Sequence, residues 1–148
     1  MDPYIPLISS GVAGPLGILH LPRMWQKAML EATGRLHPDY HSLCPGFDFM
    51  VLDALGIARD DFADYIAANL PTYPQCEAWV REQCGASLDP ELVARLNAEI
   101  LGYHHQFSVR GPILAANGLP DNGTLHDAVS LNNLDDWLGF HRQITRQE

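Results

Sequence analysis

The sequence predicts an all-α fold, a single compact and irregular helical bundle over residues 1–148 with an extended N-terminal arm over residues 1–19. Apolar residues recur three and four positions apart in several segments, as on one face of a helix. No segment alternates apolar and polar residues in the manner of a half-buried strand. The length of 148 residues and the apolar share of 47% suit one domain with one core.

The N-terminal arm is predicted to be extended because prolines and glycines interrupt it. These residues are Pro3, Pro6, Gly11, Gly14, Pro15 and Gly17. Its apolar residues indicate that the arm lies on the body of the protein. They are Ile5, Leu7, Ile8 and Val12.

The first helix is predicted over residues 21–34. Pro22 occupies the first turn, where a missing N–H costs nothing, and Gly34 suits a left-handed C-terminal cap. One apolar face has helical spacing. It consists of Leu21, Met24, Trp25, Ala28, Met29 and Ala32.

Six further helices follow from similar signals. Gly56, Pro71 and Gly85 end three of them, and Asp89 with Pro90 begins the longest. The Gly111-Pro112 pair is predicted to break or bend the chain after that helix. The predicted ranges are 47–55, 60–70, 74–84, 90–109, 113–117 and 134–144, the last capped by Asn132 or Asn133.

The segment HPDYHSLCPGFD, residues 37–48, is predicted to be a loop because it contains Pro38 and Pro45. It also suggests a metal site, since His37, His41 and Cys44 are types of side chain that bind zinc. A second close pair of ligands, typical of structural zinc sites, is absent from the sequence. We therefore expect a structural loop and no bound metal, and keep a metal-dependent enzyme as an alternative.

Composition excludes two classes of partner. The net charge is −9, with only nine lysines and arginines, so we expect no binding to nucleic acid or to anionic membranes. The odd number of cysteines, three, favours a reducing compartment, and we expect a cytoplasmic protein. Neither GxGxxG nor GxxxxGK[ST] occurs, and no cofactor is expected.

The order of several short motifs resembles an uncharacterised bacterial family, a domain of unknown function. The residues concerned run over the first two-thirds of the chain, up to Asn97: HLPR at 20–23, Lys27, Gly34, Tyr40, LGI at 55–57, Phe62 and Trp79. The resemblance implies a small bacterial domain and implies no catalytic residue.

A small-molecule pocket is predicted between the first helix and the long helix. Trp25, Tyr40 and Tyr103 would form its walls, and Arg23 or Lys27, the only lysine, would bind an acidic group. The ligand would be a small acidic or aromatic organic molecule. Counting along the long helix places His104 on or beside its buried face, which makes His104 the candidate general acid or base.

A non-catalytic interaction module is the main alternative. In this hypothesis the apolar N-terminal arm packs on a second copy of the chain and forms a homodimer. Whether the protein is an enzyme is left open by the sequence, because no motif with a unique chemical meaning occurs in it.

Overall fold

The computed structural model describes residues 2–146 and is all-α over that range. Its α-helices are α1 (Leu21–Ala32), α2 (Phe47–Leu55), α3 (Arg59–Asn69), α4 (Tyr73–Cys84), α5 (Pro90–Gly102), α6 (Phe107–Ala116) and α7 (Ala128–Thr145). A short 3-10 helix, Gly85–Ser87, follows α4. Within residues 2–146 the extended segments form only isolated bridges and no strand.

Helix α1 packs against α3 and α4. Helix α2 packs against α5, while α5 and α6 both contact α7. The core is one apolar cluster in which α1 to α5 all take part. Its fully buried members include Ile18, Leu21, Met24, Val51, Leu52, Phe62, Ile66, Val80, Leu96 and Ile100.

The N-terminal arm contacts the body of the protein at several points. Ile5 and Ile18 are buried, and Tyr4 N–H donates to the carbonyl of Arg35. The carboxylate of Glu77 accepts a hydrogen bond from the backbone N–H of Leu16. The arm is therefore fixed at several points along its length.

Helices α1 to α4 are confirmed to within two residues. Gly34 has a φ of 69°, as expected of a left-handed residue just after a helix. The structure adds one feature at the start of α4. The hydroxyl of Thr72 accepts from Gln75 N–H while the side chain of Gln75 accepts from Thr72 N–H, a reciprocal capping box.

The prediction of one helix over residues 90–109 is wrong. Helix α5 ends at Gly102, and Tyr103 has an extended conformation. The backbone around Tyr103 pairs with a distant segment, since Ala128 N–H donates to Tyr103 O and His105 N–H donates to His126 O. Non-local hydrogen bonds thus replace the helical ones.

The predicted break at Gly111-Pro112 is also wrong, because both residues lie inside α6. The last helix begins six residues earlier than expected. Asp127 caps it by accepting from Ser130 N–H, so Asn132 and Asn133 lie within the helix and do not cap it. Near its C-terminal end α7 contacts the arm, where the side-chain amide of Gln143 donates to the carbonyl of Pro3. No helix in residues 2–146 is long and apolar enough to cross a membrane.

Candidate functional site

Three polar side chains at the start of α1 point into the protein. His20, Arg23 and Lys27 are three and then four residues apart, so they lie on one face of the helix. All three are buried, at 2%, 7% and 6% exposure. Because buried polar groups require partners, each must be satisfied by another segment of the chain.

His20 is held by two hydrogen bonds. Its Nε2 atom lies 2.6 Å from Asp48 Oδ1 and its Nδ1 atom 2.9 Å from Ser10 Oγ. Burial lowers the pKa of His20, against the opposing effect of the Asp48 carboxylate. A neutral imidazole here donates a hydrogen bond through Nε2 to Asp48 and accepts one at Nδ1 from the Ser10 hydroxyl.

Asp48 connects His20 to Lys27. Its Oδ2 atom lies 2.7 Å from Lys27 Nζ and accepts a backbone hydrogen bond from Cys44 at 3.0 Å. Burial alone would raise the pKa of Asp48, but the hydrogen bond from His20 and the Lys27 ammonium hold that pKa well below its usual range. Asp48 is therefore a buried carboxylate, neutralised by the only lysine.

The Cys44 thiol lies beside this pair, 3.5 Å from Asp48 Oδ2 and 3.7 Å from Lys27 Nζ. Burial raises the pKa of Cys44, and the charge of Asp48 raises it further, against the effect of Lys27. Cys44 is consequently a thiol near neutral pH and donates weakly to the carboxylate.

Arg23 forms a second buried ion pair, with Asp136 of α7. The two groups meet in a bidentate arrangement with N–O distances of 2.7 and 3.1 Å. Arg23 also donates to the carbonyls of Pro6 and Ile8 in the arm. Tyr40 donates its hydroxyl proton to Asp136 Oδ1 at 2.8 Å, and burial together with that carboxylate raises the pKa of Tyr40.

These groups line one wall of a cavity of about 290 Å³ between α1, the loop after it and α7. Aromatic rings also line the cavity: Phe47 and Tyr103 meet edge to face at 5.6 Å, and His105 lies edge-on to Tyr103. His105 Nε2 is 2.9 Å from Asn132 Oδ1. Other lining residues are Asp39, His41, Cys44, Pro45, Ala128 and Asp135.

A second cavity of about 550 Å³ adjoins the first, and the two share Asp39, Tyr40 and Asp135 in their linings. The arm contributes Pro3 and Ile5 to it, and α7 contributes several residues. The shared residues form the boundary between the two cavities.

Four of the six residues predicted for the site line the first cavity: Arg23, Lys27, Tyr40 and Tyr103. Trp25 does not, because its indole N–H donates to the carbonyl of Pro71 and its ring packs edge-on against Tyr73. The wall facing α1 is α7 and the segment after α5. The predicted position between α1 and the long helix is therefore corrected to one between α1 and α7.

His104 is not where the sequence placed it. The residue lies beyond the end of α5, is exposed, and stacks on His126 with ring centroids 4.1 Å apart. It lines neither of the two cavities. The prediction of a buried helical position is wrong because it assumed that the helix continued through Tyr103.

The three candidate metal ligands of the 37–48 loop do not converge. His41 and Cys44 line the first cavity, whereas His37 lines the second and accepts a hydrogen bond from Asp39 N–H. Within residues 2–146, no three side chains of His, Cys, Asp or Glu are arranged to hold a metal ion.

Three residues that line the first cavity were not predicted to belong to the site: His20, Asp48 and Asp136. Spacing offered one signal: His20 precedes Arg23 and Lys27 at helical intervals, which places it on their face of α1. Asp48 and Asp136 carry no such signal.

A search of curated proteins gives no match to the chain. A family model described as "Domain of unknown function (DUF5069)" matches residues 9–111. That segment contains α1 to α5 and the first turn of α6, and it therefore includes His20, Arg23, Lys27 and Asp48. Because the match covers well over half of the sequence, the chain belongs to the DUF5069 family, a family of unknown function.

Proposed function

We propose that this protein binds a small organic molecule with an aromatic or apolar part in the cavity between α1 and α7. One observation carries the proposal: two buried ion pairs, Lys27–Asp48 and Arg23–Asp136, line a cavity that is also lined by the aromatic rings of Tyr40, Phe47 and Tyr103. Ligand sites commonly combine apolar walls with a few fixed polar groups.

Stability alone is a poor explanation for these ion pairs. Removing two charges from water costs several kcal/mol per ion, on the order of what their attraction returns, so apolar residues of similar size often stabilise a protein equally well. Buried charges beside a cavity are instead a common property of binding and catalytic sites.

The proposed ligand contacts differ from the sequence prediction for Arg23 and Lys27. Each cation is already neutralised, by Asp136 and Asp48 respectively. An acidic ligand would have to displace those carboxylates, which favours a structural role for both cations. The aromatic side of the ligand, by contrast, has matching surfaces in Tyr40, Phe47 and Tyr103.

For a catalytic version of this function, His105 replaces His104 as the candidate acid or base. His105 lines the cavity and uses one ring nitrogen to contact Asn132, leaving the other for a ligand. Both ring nitrogens of His20 already contact protein groups, which suits His20 to holding Asp48 in place.

A fragment screen by protein-observed NMR tests binding in the cavity. We expect aromatic fragments to shift the amide signals of residues that line the cavity. Tyr103→Ala should weaken these hits at least about tenfold, since burying an aromatic ring contributes a few kcal/mol. Phe107→Ala is the matched control, because Phe107 is 68% exposed and lines neither cavity.

The binding proposal fails if no fragment shifts the cavity signals, or if Tyr103→Ala and Phe107→Ala affect the hits equally.

The homodimer formed through the arm stays a prediction. Ile5 and Ile18 are buried against the arm's own chain, while Tyr4, Leu7 and Val12 are exposed. Light scattering on the full chain at several concentrations measures whether that homodimer forms.

A further inference from the structure

The charges that line the first cavity do not balance. Two cations, Arg23 and Lys27, face four carboxylates, Asp39, Asp48, Asp135 and Asp136. The two cations pair with Asp136 and Asp48, so Asp39 and Asp135 are left.

Asp135 makes no ion pair within residues 2–146. Partial burial raises its pKa, and the neighbouring carboxylates of Asp136 and Asp39 raise it further, whereas Arg23 and Arg142 only partly offset them. Because Arg23 and Arg142 do not outweigh these carboxylates, a positive charge placed beside Asp135 would gain additional attraction.

Asp39 is on the same boundary between the cavities and its side chain is 84% exposed. Its nearest basic group is His37, 3.8 Å away, which counts as a charge partner only when the imidazole is protonated. No other basic group lies within ion-pair distance of Asp39 in residues 2–146.

Tyr40 lines both cavities together with these two carboxylates. The Arg23 guanidinium already lies 5.9 Å from the centre of the Tyr40 ring, within the range of a cation–π contact. Phe47 and Tyr103 add further rings to the same cavity. Aromatic walls with nearby carboxylates form the usual environment for an organic ammonium group.

We propose that the ligand of this cavity is an organic cation, an amine with an aromatic or apolar body, whose positive group lies at the boundary between Asp39 and Asp135. The body then occupies the first cavity against Tyr40, Phe47 and Tyr103. This proposal rests on the binding function proposed above and names the class of ligand.

Three probes of one skeleton test the class: 2-phenylethylamine, 2-phenylethanol and 3-phenylpropionate, a cation, a neutral molecule and an anion. Binding to the intact chain is measured by NMR titration at pH 7. We expect the amine to bind about tenfold more tightly than the alcohol, an advantage of about 1.4 kcal/mol, and the anion to bind most weakly.

Asp135→Asn should remove most of the advantage of the amine and leave the affinity for the alcohol unchanged. Asp39→Asn should also reduce this advantage, by a factor limited by solvent screening, because the Asp39 side chain is 84% exposed. Asp53→Asn is the control, since Asp53 is an exposed carboxylate that pairs with Arg59 and lines neither of these two cavities.

Two results would overturn the ligand class and leave the cavity as a binding site: equal or tighter binding of the alcohol or the anion, or an amine advantage that Asp135→Asn does not change. If none of the three probes shifts the signals of the cavity residues, this inference is wrong, and the fragment screen with Tyr103→Ala then decides separately whether the cavity binds anything.

Discussion

Replacing Asp48 by asparagine should strongly destabilise the protein. Asp48 is 1% exposed and accepts hydrogen bonds from His20, Lys27 and the backbone of Cys44. The amide keeps the shape of the carboxylate and removes its charge, so the Lys27 ammonium remains buried without a counter-ion. Breaking a buried pair in this way costs about 3–5 kcal/mol.

Urea denaturation followed by circular dichroism measures this loss. With a slope of about 2 kcal/mol per M, a loss of 3–5 kcal/mol lowers the midpoint by roughly 1.5–2.5 M. Asp53→Asn, which removes an exposed carboxylate, should change the free energy of unfolding by less than about 1 kcal/mol.

The double variant Lys27→Met, Asp48→Asn separates the pair from the general effect of substitution. Without either charge, its loss should be smaller than the sum of the two single losses by about 1–3 kcal/mol. A loss below about 1 kcal/mol for Asp48→Asn, or strictly additive losses in the double variant, would refute the view that the two charges depend on each other. The double variant also keeps the test informative if Asp48→Asn alone does not fold.

The pH dependence of the same difference has a definite sign. Because the folded pKa of Asp48 is lowered, its contribution to stability is present above the unfolded pKa of 3.8 and is lost as the pH falls below that value. The stability difference between the natural protein and Asp48→Asn should therefore shrink below pH 4.

Variants at three further positions test other parts of the fold. Gly14→Ala should lower the free energy of unfolding by about 1–3 kcal/mol, because a Cβ at this position would lie 2.6 Å from Glu77 Oε2 and overlap the Tyr73 ring. Urea midpoints measure this loss, and an unchanged midpoint would contradict the tight contact. Thr72→Ala should lose about 1 kcal/mol through its cap, and Thr72→Ser should retain most of that energy in the same assay. The folded pKa of His20 is lowered, so its contribution to stability should decline as the pH falls below the unfolded value of 6.5. His20→Gln should flatten that decline. Parallel curves of stability against pH for the natural protein and His20→Gln between pH 7 and 5 would refute this prediction.

Local signals account for the parts of the fold that the sequence predicted. Pro22 and Gly34 bound α1 because a first-turn proline and a left-handed glycine act within a few residues. The error at α5 has the opposite cause. Tyr103 leaves the helix because its carbonyl accepts from Ala128, a partner 25 residues further along the chain that no periodicity indicates.

The residues of the candidate site likewise fall into those that local spacing predicts and those that only the tertiary structure brings together. Arg23 and Lys27 could be placed together because helical spacing is local. Their partners Asp48 and Asp136 lie 21 and 113 residues away in sequence, and eighteen acidic residues offer no means of choosing between them. Which charged residues pair depends on the tertiary structure, so these pairs could not be predicted from one sequence.

The contacts of Arg23 determine how much of the chain must be synthesised before this part of the protein can fold. One guanidinium binds the arm through Pro6 and Ile8 and binds α7 through Asp136. During synthesis the arm and α1 leave the ribosome long before residue 136, so Arg23 cannot complete its contacts until α7 has emerged. The cavity is lined by Ala128, Asn132, Asp135 and Asp136 of α7, so it cannot form before α7 has been synthesised. A nascent chain that lacks α7 therefore has no such cavity.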